Sequence, residues 1–138
     1  MTDELRKSVL EKLERQEYNC PKEITLAMIN GKWKINLLYH LSHDGDYYFH
    51  EFQELLPQAS HKELNLKLQE LIADGLVTRT PESTRPVKVN YSITPLGQTL
   101  IPIIDQMYTW GSKRLKDLQL DATAFALGKT HGHPSEND

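Results

Sequence analysis

At Gly75 the spacing of the apolar residues changes period. Before it, Leu64, Leu68, Leu71 and Ile72 recur at helical intervals and form one stripe along a helix from Ser60 to Ile72. After it, Val77 to Thr80 is β-like. Val87, Val89, Tyr91 and Ile93 then alternate with Lys88, Asn90 and Ser92, the pattern of a strand with one buried face. Pro81 to Pro86 joins the two runs as a hairpin tip. The helix has local signals at both ends. Ser60 caps its start, Glu63 three places on completes a capping box, and Gly75 stops it.

The elements upstream are short and helical. Thr2 to Gln16 predicts a helix capped by Thr2, with Asp3–Lys7 and Glu11–Arg15 as favourable pairs. Its apolar stripe, Leu5, Val9, Leu10 and Leu13, is too thin to hold a helix alone and calls for a partner surface. The Cys20-Pro21 pair opens a second helix, which carries Ile24, Ala27 and Met28 and stops at Asn30-Gly31. Lys32 to Leu41 predicts a third, with Trp33, Leu37, Leu38 and Leu41 inward. A loop over Ser42–Asp46 precedes a short helix marked by Phe49, Phe52, Leu55 and Leu56 and ended by Pro57. Downstream, Thr94-Pro95 starts a long helix through Leu96, Leu100, Ile103, Ile104, Met107, Trp110 and Leu115, with Pro102 inside it as a bend. Thr130 to Asp138 is polar and aperiodic, which predicts disorder.

This order predicts an α+β, mostly helical fold: a winged helix-turn-helix with N- and C-terminal dimerisation helices. The expected divisions are 1–19 for the N-terminal dimerisation helix, 20–94 for the winged core, 95–120 for the C-terminal dimerisation helix and 121–138 for a largely disordered tail. Leu5, Val9, Leu10 and Leu13, with Ile104, Met107, Tyr108 and Trp110, are the expected homodimer interface, because they offer more apolar surface than one small domain covers.

Several function classes are disfavoured. No apolar run approaches a membrane span, and the first residues lack a signal-peptide pattern, so a cytoplasmic location is expected. Cys20 is the single cysteine, which rules out an intrachain disulfide and a zinc ribbon. His40, His43, Asp44, Asp46, His50 and Glu51 are a dense set of ligand-type residues, but a polar helix end and loop explains them better than a metal site. His131 and His133 support adventitious metal binding at most. No nucleophile–base pattern, phosphate loop or paired acid site argues for an enzyme, and no cofactor is expected. A net charge of −3 argues against coating of polyanions over the whole surface. From Ser60 to Thr94, five cations face four acids, a small local excess that leaves contact through one face open.

An α-helix fits the major groove of B-DNA when its back is apolar and its first turns carry small or polar residues. Ser60, His61, Lys62, Asn65, Leu66 and Gln69 lie on the outward face of the 60–72 helix. Arg85 at the hairpin tip and Lys88 on its exposed face are placed for flanking phosphates or the minor groove; the alternative is that they keep a hairpin soluble. The chain also resembles the HxlR-type bacterial transcriptional regulators from Cys20 to Gly111. The resemblance rests on Cys20-Pro21, Ile29-Asn30-Gly31-Lys32-Trp33, Phe49-His50-Glu51-Phe52, Leu56-Pro57-Gln58-Ala59-Ser60, Asp74-Gly75-Leu76-Val77, Val89-Asn90-Tyr91-Ser92-Ile93-Thr94, Leu96-Gly97 and Trp110-Gly111. It implies a homodimer that binds double-stranded operator DNA through the 60–72 helix and its wing. It also implies, for several members, a response to oxidants or electrophiles through the cysteine of the Cys-Pro pair. Leu66, Gln69 and Asn30 depart from the residues usual in that family; the first two weaken the expected phosphate contact and alter the expected base readout. Leu66 either contacts a thymine methyl or packs on the preceding helix.

Cys20 has two readings. A lone cysteine is commonly a small buried hydrophobe. A cysteine at a helix N-terminus, with Lys22 nearby, is also placed where a thiolate is favoured, and Cys20 is the candidate redox-sensing residue. The function alternative to DNA binding is a winged-helix module that docks a protein through the same face.

Overall fold

A computed structural model describes residues 4–120. Its elements are α1 (Lys7–Glu14), α2 (Pro21–Ile29), α3 (Lys34–His43), β1 (Tyr47–Tyr48), α4 (Phe49–Leu55), α5 (His61–Ala73), β2 (Val77–Pro81), β3 (Val89–Ile93), α6 (Pro95–Gln98) and α7 (Ile101–Asp117). The tail from 121, with His131 and His133, and the Thr2 cap lie outside the described residues.

The change of period at Gly75 is built as the sequence implies. Ser60 Oγ accepts the Glu63 N–H at 3.0 Å, and Glu63 Oε1 accepts the Ser60 N–H at 2.9 Å. At the other end Gly75 takes a φ of +75°, and the Leu76 and Gly75 amides donate back to Leu71 and Ile72, closing the last turn of α5. The chain then enters an antiparallel sheet of order β1-β3-β2, with Val77 opposite Ile93 and Pro81 opposite Val89. The core lies between this sheet and α3, α4 and α5. Leu37, Leu38, Leu41, Phe52, Leu64, Leu68, Leu71 and Val77 are buried there, and Tyr47 stacks on Phe52 with ring centroids 4.5 Å apart.

Several expectations are corrected. The N-terminal helix begins at Lys7, because the Arg6 backbone N–H is bonded to Asp74 Oδ1 at 2.9 Å and Arg6 itself is extended. It ends at Glu14, where Gln16 takes a φ of 57° and the Glu17 amide donates to Lys12 O. The third helix begins at Lys34, since Trp33 sits in the left-handed region, and it runs on to His43. Strand β1 was not anticipated, because two residues are too few to show a period. Strand β3 begins at Val89, leaving Val87 63% exposed beside the tip. The expected long C-terminal helix is two helices. Pro102 lies in the first turn of α7, where its missing N–H removes no helical bond, and the break falls at Thr99-Leu100. Two expected interface residues, Val9 at 3% and Ile104 at 1% exposure, are covered by the chain itself.

Candidate nucleic-acid interface

α5 divides cleanly into two faces. Leu64, Leu68 and Leu71 are buried at its back. Ser60, His61 and Lys62 are exposed in the cap and first turn, Gln69 is exposed further along, and Asn65 is half-buried between them. His61, Lys62, Asn65, Leu66 and Gln69 therefore share one face of α5, with Ser60 at its cap. The His61 ring leans on Phe49 of α4 at 4.6 Å, which supports its orientation from below. Leu66 is 47% exposed, so α4 leaves much of it uncovered. The one acid in this turn, Glu63, is committed to the cap: the Ser60 amide it accepts holds its carboxyl below the ordinary carboxylate range.

The wing is an ordered hairpin. The Glu82 amide donates to Lys88 O at 2.8 Å, and Thr84 Oγ1 donates to Pro86 O while accepting the Lys88 N–H. Arg85 is exposed at the tip. Lys88 is held at the wing's side, with its ammonium 5.1 Å from the centre of the Tyr48 ring. The Tyr48 hydroxyl donates to Glu82 at 2.8 Å, and that bond pushes the phenol above its ordinary range. Tyr48 thus positions both a cation and an acid of the wing, a role the sequence hides because Tyr48 is 40 residues before Lys88. Arg79, exposed on β2, adds a third cation to the same hairpin; its place in the β-like run 77–80 is the signal for it in the sequence.

The ligand-type residues around α3 are engaged elsewhere. His40 Nδ1 lies 2.7 Å from Asp44 Oδ2, which also accepts the Tyr47 hydroxyl. His43 pairs with Asp105 of α7 at 2.8 Å, Asp46 accepts from Asn90, and His50 stacks on Tyr48. Glu51 accepts the Tyr48 N–H in a capping box for α4. Among the described residues no group of three or more His, Cys, Asp or Glu converges to hold a metal, and no helix is long and apolar enough to cross a membrane.

Cys20 is the N-cap residue of α2, with Pro21 in the first turn, and is half-buried. Lys22 Nζ lies 3.1 Å from its Sγ and donates to it. Apolar side chains are exposed on both terminal helices: Leu10 and Leu13 on α1, and Met107, Tyr108 and Trp110 on α7, Trp110 at 71% exposure. Ile103 and Leu118, which were not in the expected set, extend the α7 stripe by falling on the helix face of Met107 and Trp110. Tyr108 sits off that stripe and stacks on Tyr39 of α3, ring centroids 5.6 Å apart.

The model of the HxlR-like helix-turn-helix family matches residues 28–119. The HTH-type transcriptional regulator YdeP of Bacillus subtilis (strain 168) is 48% identical over 94 residues, which cover 68% of this chain and 73% of that protein. Among solved structures, the redox regulator HypR in its oxidised form is similar with a TM-score of 0.65 and 47% identity, covering 68% of this chain and 96% of that one. The reduced form of HypR has a TM-score of 0.68 and 44% identity, covering 72% of this chain and 98% of that one.

Proposed function

This chain belongs to the HxlR-like helix-turn-helix family of transcriptional regulators, and from that premise we propose that it binds duplex operator DNA as a homodimer. The observation that carries the reading is the polar, exposed N-terminal half of α5 beside a hairpin whose outer positions hold Arg79, Arg85 and Lys88. In this reading Ser60, His61 and Lys62 approach base edges and phosphates at the start of α5. Asn65 and Gln69 pair bidentately with adenine, Leu66 meets a thymine methyl, and Arg85 and Lys88 neutralise flanking phosphates. The exposed apolar residues of α1 and α7 bury one another across a two-fold axis. That axis sets the two α5 helices at successive major grooves, roughly 34 Å apart.

Cys20 is the redox-responsive residue of this proposal. Its thiolate, beside the Lys22 ammonium, attacks an oxidised small thiol and displaces one thiolate, leaving a mixed disulfide; a quinone would leave a thioether adduct. The relative HypR is described as a redox regulator with reduced and oxidised forms, which supports this assignment. Cys20 lies in the segment between α1, which carries part of the apolar face, and the winged core. A group added there alters how the two are joined.

The test is affinity for selected duplex DNA as a function of salt. Affinity should fall steeply with added salt, and Arg85→Ala should weaken binding across sequences and lower the slope by roughly one per half-dimer. An unchanged slope would remove Arg85 from the interface. Diamide with a small thiol should weaken binding by the wild type and spare Cys20→Ser; equal loss in both would make Cys20 structural. Absence of duplex binding even at low salt would favour the protein-docking module, a reading supported by the small local charge excess of residues 60–94.

A further inference from the structure

Arg6 joins three helices, α1, α2 and α5, at the N-terminal end of the fold. Its backbone N–H and its Nε donate to the two oxygens of Asp74, at 2.9 and 2.8 Å. Asp74 is the C-cap residue of α5, and its side chain is fully buried. The Arg6 Nη2 donates to Ala27 O of α2 at 2.6 Å, and Nη1 lies 3.6 Å from Glu70, one turn back along α5. The Arg6 carbonyl in turn accepts the Val9 and Leu10 amides, which begin α1. One residue therefore starts α1 and grips the last turn of α5, at the helix end where a cation is favoured. A second contact agrees: Glu4 packs against Gly75, so close that a Cβ there would stand 3.3 Å from Glu4 Oε1.

The geometry points to Arg6 as a positioning residue that sets the angle between α1, with its exposed Leu10 and Leu13, and the DNA-reading helix α5, and thereby the half-site spacing the dimer accepts. This rests on the dimeric, DNA-binding reading above. The physical argument is one of lever and hinge. The guanidinium donates through Nε to a buried carboxylate and through Nη2 to α2, while the backbone N–H holds the other carboxylate oxygen, so α1 cannot swing about Arg6 without breaking charge-assisted hydrogen bonds. If α1 contributes to the two-fold interface, a swing of α1 against α5 becomes a change in the separation of the two reading heads. Sequence preference at each half-site belongs to the outward face of α5, to which Arg6 makes no hydrogen bond or ion pair, and is left alone.

The experiment uses the full chain and duplexes carrying the half-site recovered by selection from a random library, repeated at centre-to-centre spacings stepped by one base pair. The wild type should prefer one spacing. Arg6→Met should lose roughly tenfold at that spacing and little at its neighbours, which flattens the profile. Arg6→Lys keeps a charge on Asp74 but loses the fork, and should give an intermediate profile. Arg15→Met, which removes only exposed pairs to Glu11 and Glu17, should match the wild type. Equal weakening by Arg6→Met at all spacings, or an unchanged profile, would overturn the inference while leaving DNA binding intact. A wild type that binds no duplex would overturn the functional reading and this inference together. Amide exchange gives a readout without DNA: in Arg6→Met and Arg6→Lys, exchange across Lys7–Glu14 should accelerate while Leu64–Leu71 stays protected. Unchanged exchange in α1 would equally sink the proposal.

Discussion

Lys34 carries an ammonium group to a place with no solvent exposure. Its nearest anion is Glu70, with Nζ 3.2 Å from Oε1, and the ammonium has no further partner. Burial pushes its pKa below the ordinary lysine range, the Arg6 charge pushes the same way, and Glu70 and Asp74 pull it partly back. Glu70 keeps Arg6 and Lys67 as partners at 3.6 and 4.0 Å if Lys34 is removed. Lys34→Met should therefore stabilise the protein, by about 1 kcal/mol, since the cost of desolvating the ammonium is removed and Glu70, partly exposed and still beside two cations, is not left as an uncompensated buried charge. The sign with pH follows from the lowered pKa. On the alkaline side, below the unfolded pKa, the unfolded chain holds more protons than the folded one, so wild-type stability rises with pH through that window. Lys34→Met lacks this gain, and its advantage should narrow as pH is raised. Urea midpoints of both proteins at neutral and alkaline pH check the pair; a less stable variant at neutral pH would show that the ion pair is net stabilising. Nothing local announces this role for Lys34. Hydropathy periods sort a lysine to the outside, and its partners Arg6, Glu70 and Asp74 are set by tertiary packing.

At the scale of elements, the junction of α6 with the hairpin depends on Gly97. A Cβ there would collide with the Leu76 carbonyl oxygen and stand 2.6 Å from Ile93 Cγ1. The approach is backbone to backbone, so the strain cannot be relieved by turning one flexible side chain. Thr94 reinforces the junction: its hydroxyl donates to Gly75 O at 2.7 Å and accepts the Gly97 N–H at 2.9 Å. Gly97→Ala should cost about 2 kcal/mol or more, because α6 must move off the sheet. Thermal unfolding measures it, and an unchanged midpoint would mean that α6 slides freely. Local signals were sufficient for α5, whose capping box and Gly75 stop lie within its own 16 residues, and for the hairpin, whose alternation is a property of the strand itself. They were insufficient for β1, whose two residues become a strand only by pairing Tyr47 with Tyr91 and Tyr48 with Asn90.

For the whole molecule, the uncovered stripe Ile103, Met107, Trp110 and Leu118 on α7, with Leu10 and Leu13 on α1, is the surface on which a homodimer would rest. Trp110→Glu should weaken self-association about thirtyfold or more, as expected for an aromatic anchor, without changing the fold of the protomer. Sedimentation at graded concentrations, paired with circular dichroism, tests it; a wild type that stays monomeric at micromolar concentration would reject the dimer. Fold class, helix α5, its polar face and the wing were all determined by the sequence alone, because each depends on spacing and capping among near neighbours. Tertiary structure decided which apolar residues of the terminal helices are spent inside. Val9 and Ile104 are as apolar as Leu10 and Ile103, but only the packed chain shows that the first two are covered and the others are not. It also decided where α1 begins, since Arg6 is held by a carboxylate 68 residues away. Periodicity reports that a face is apolar or polar; burial and ion pairing across the fold are settled only when distant segments meet.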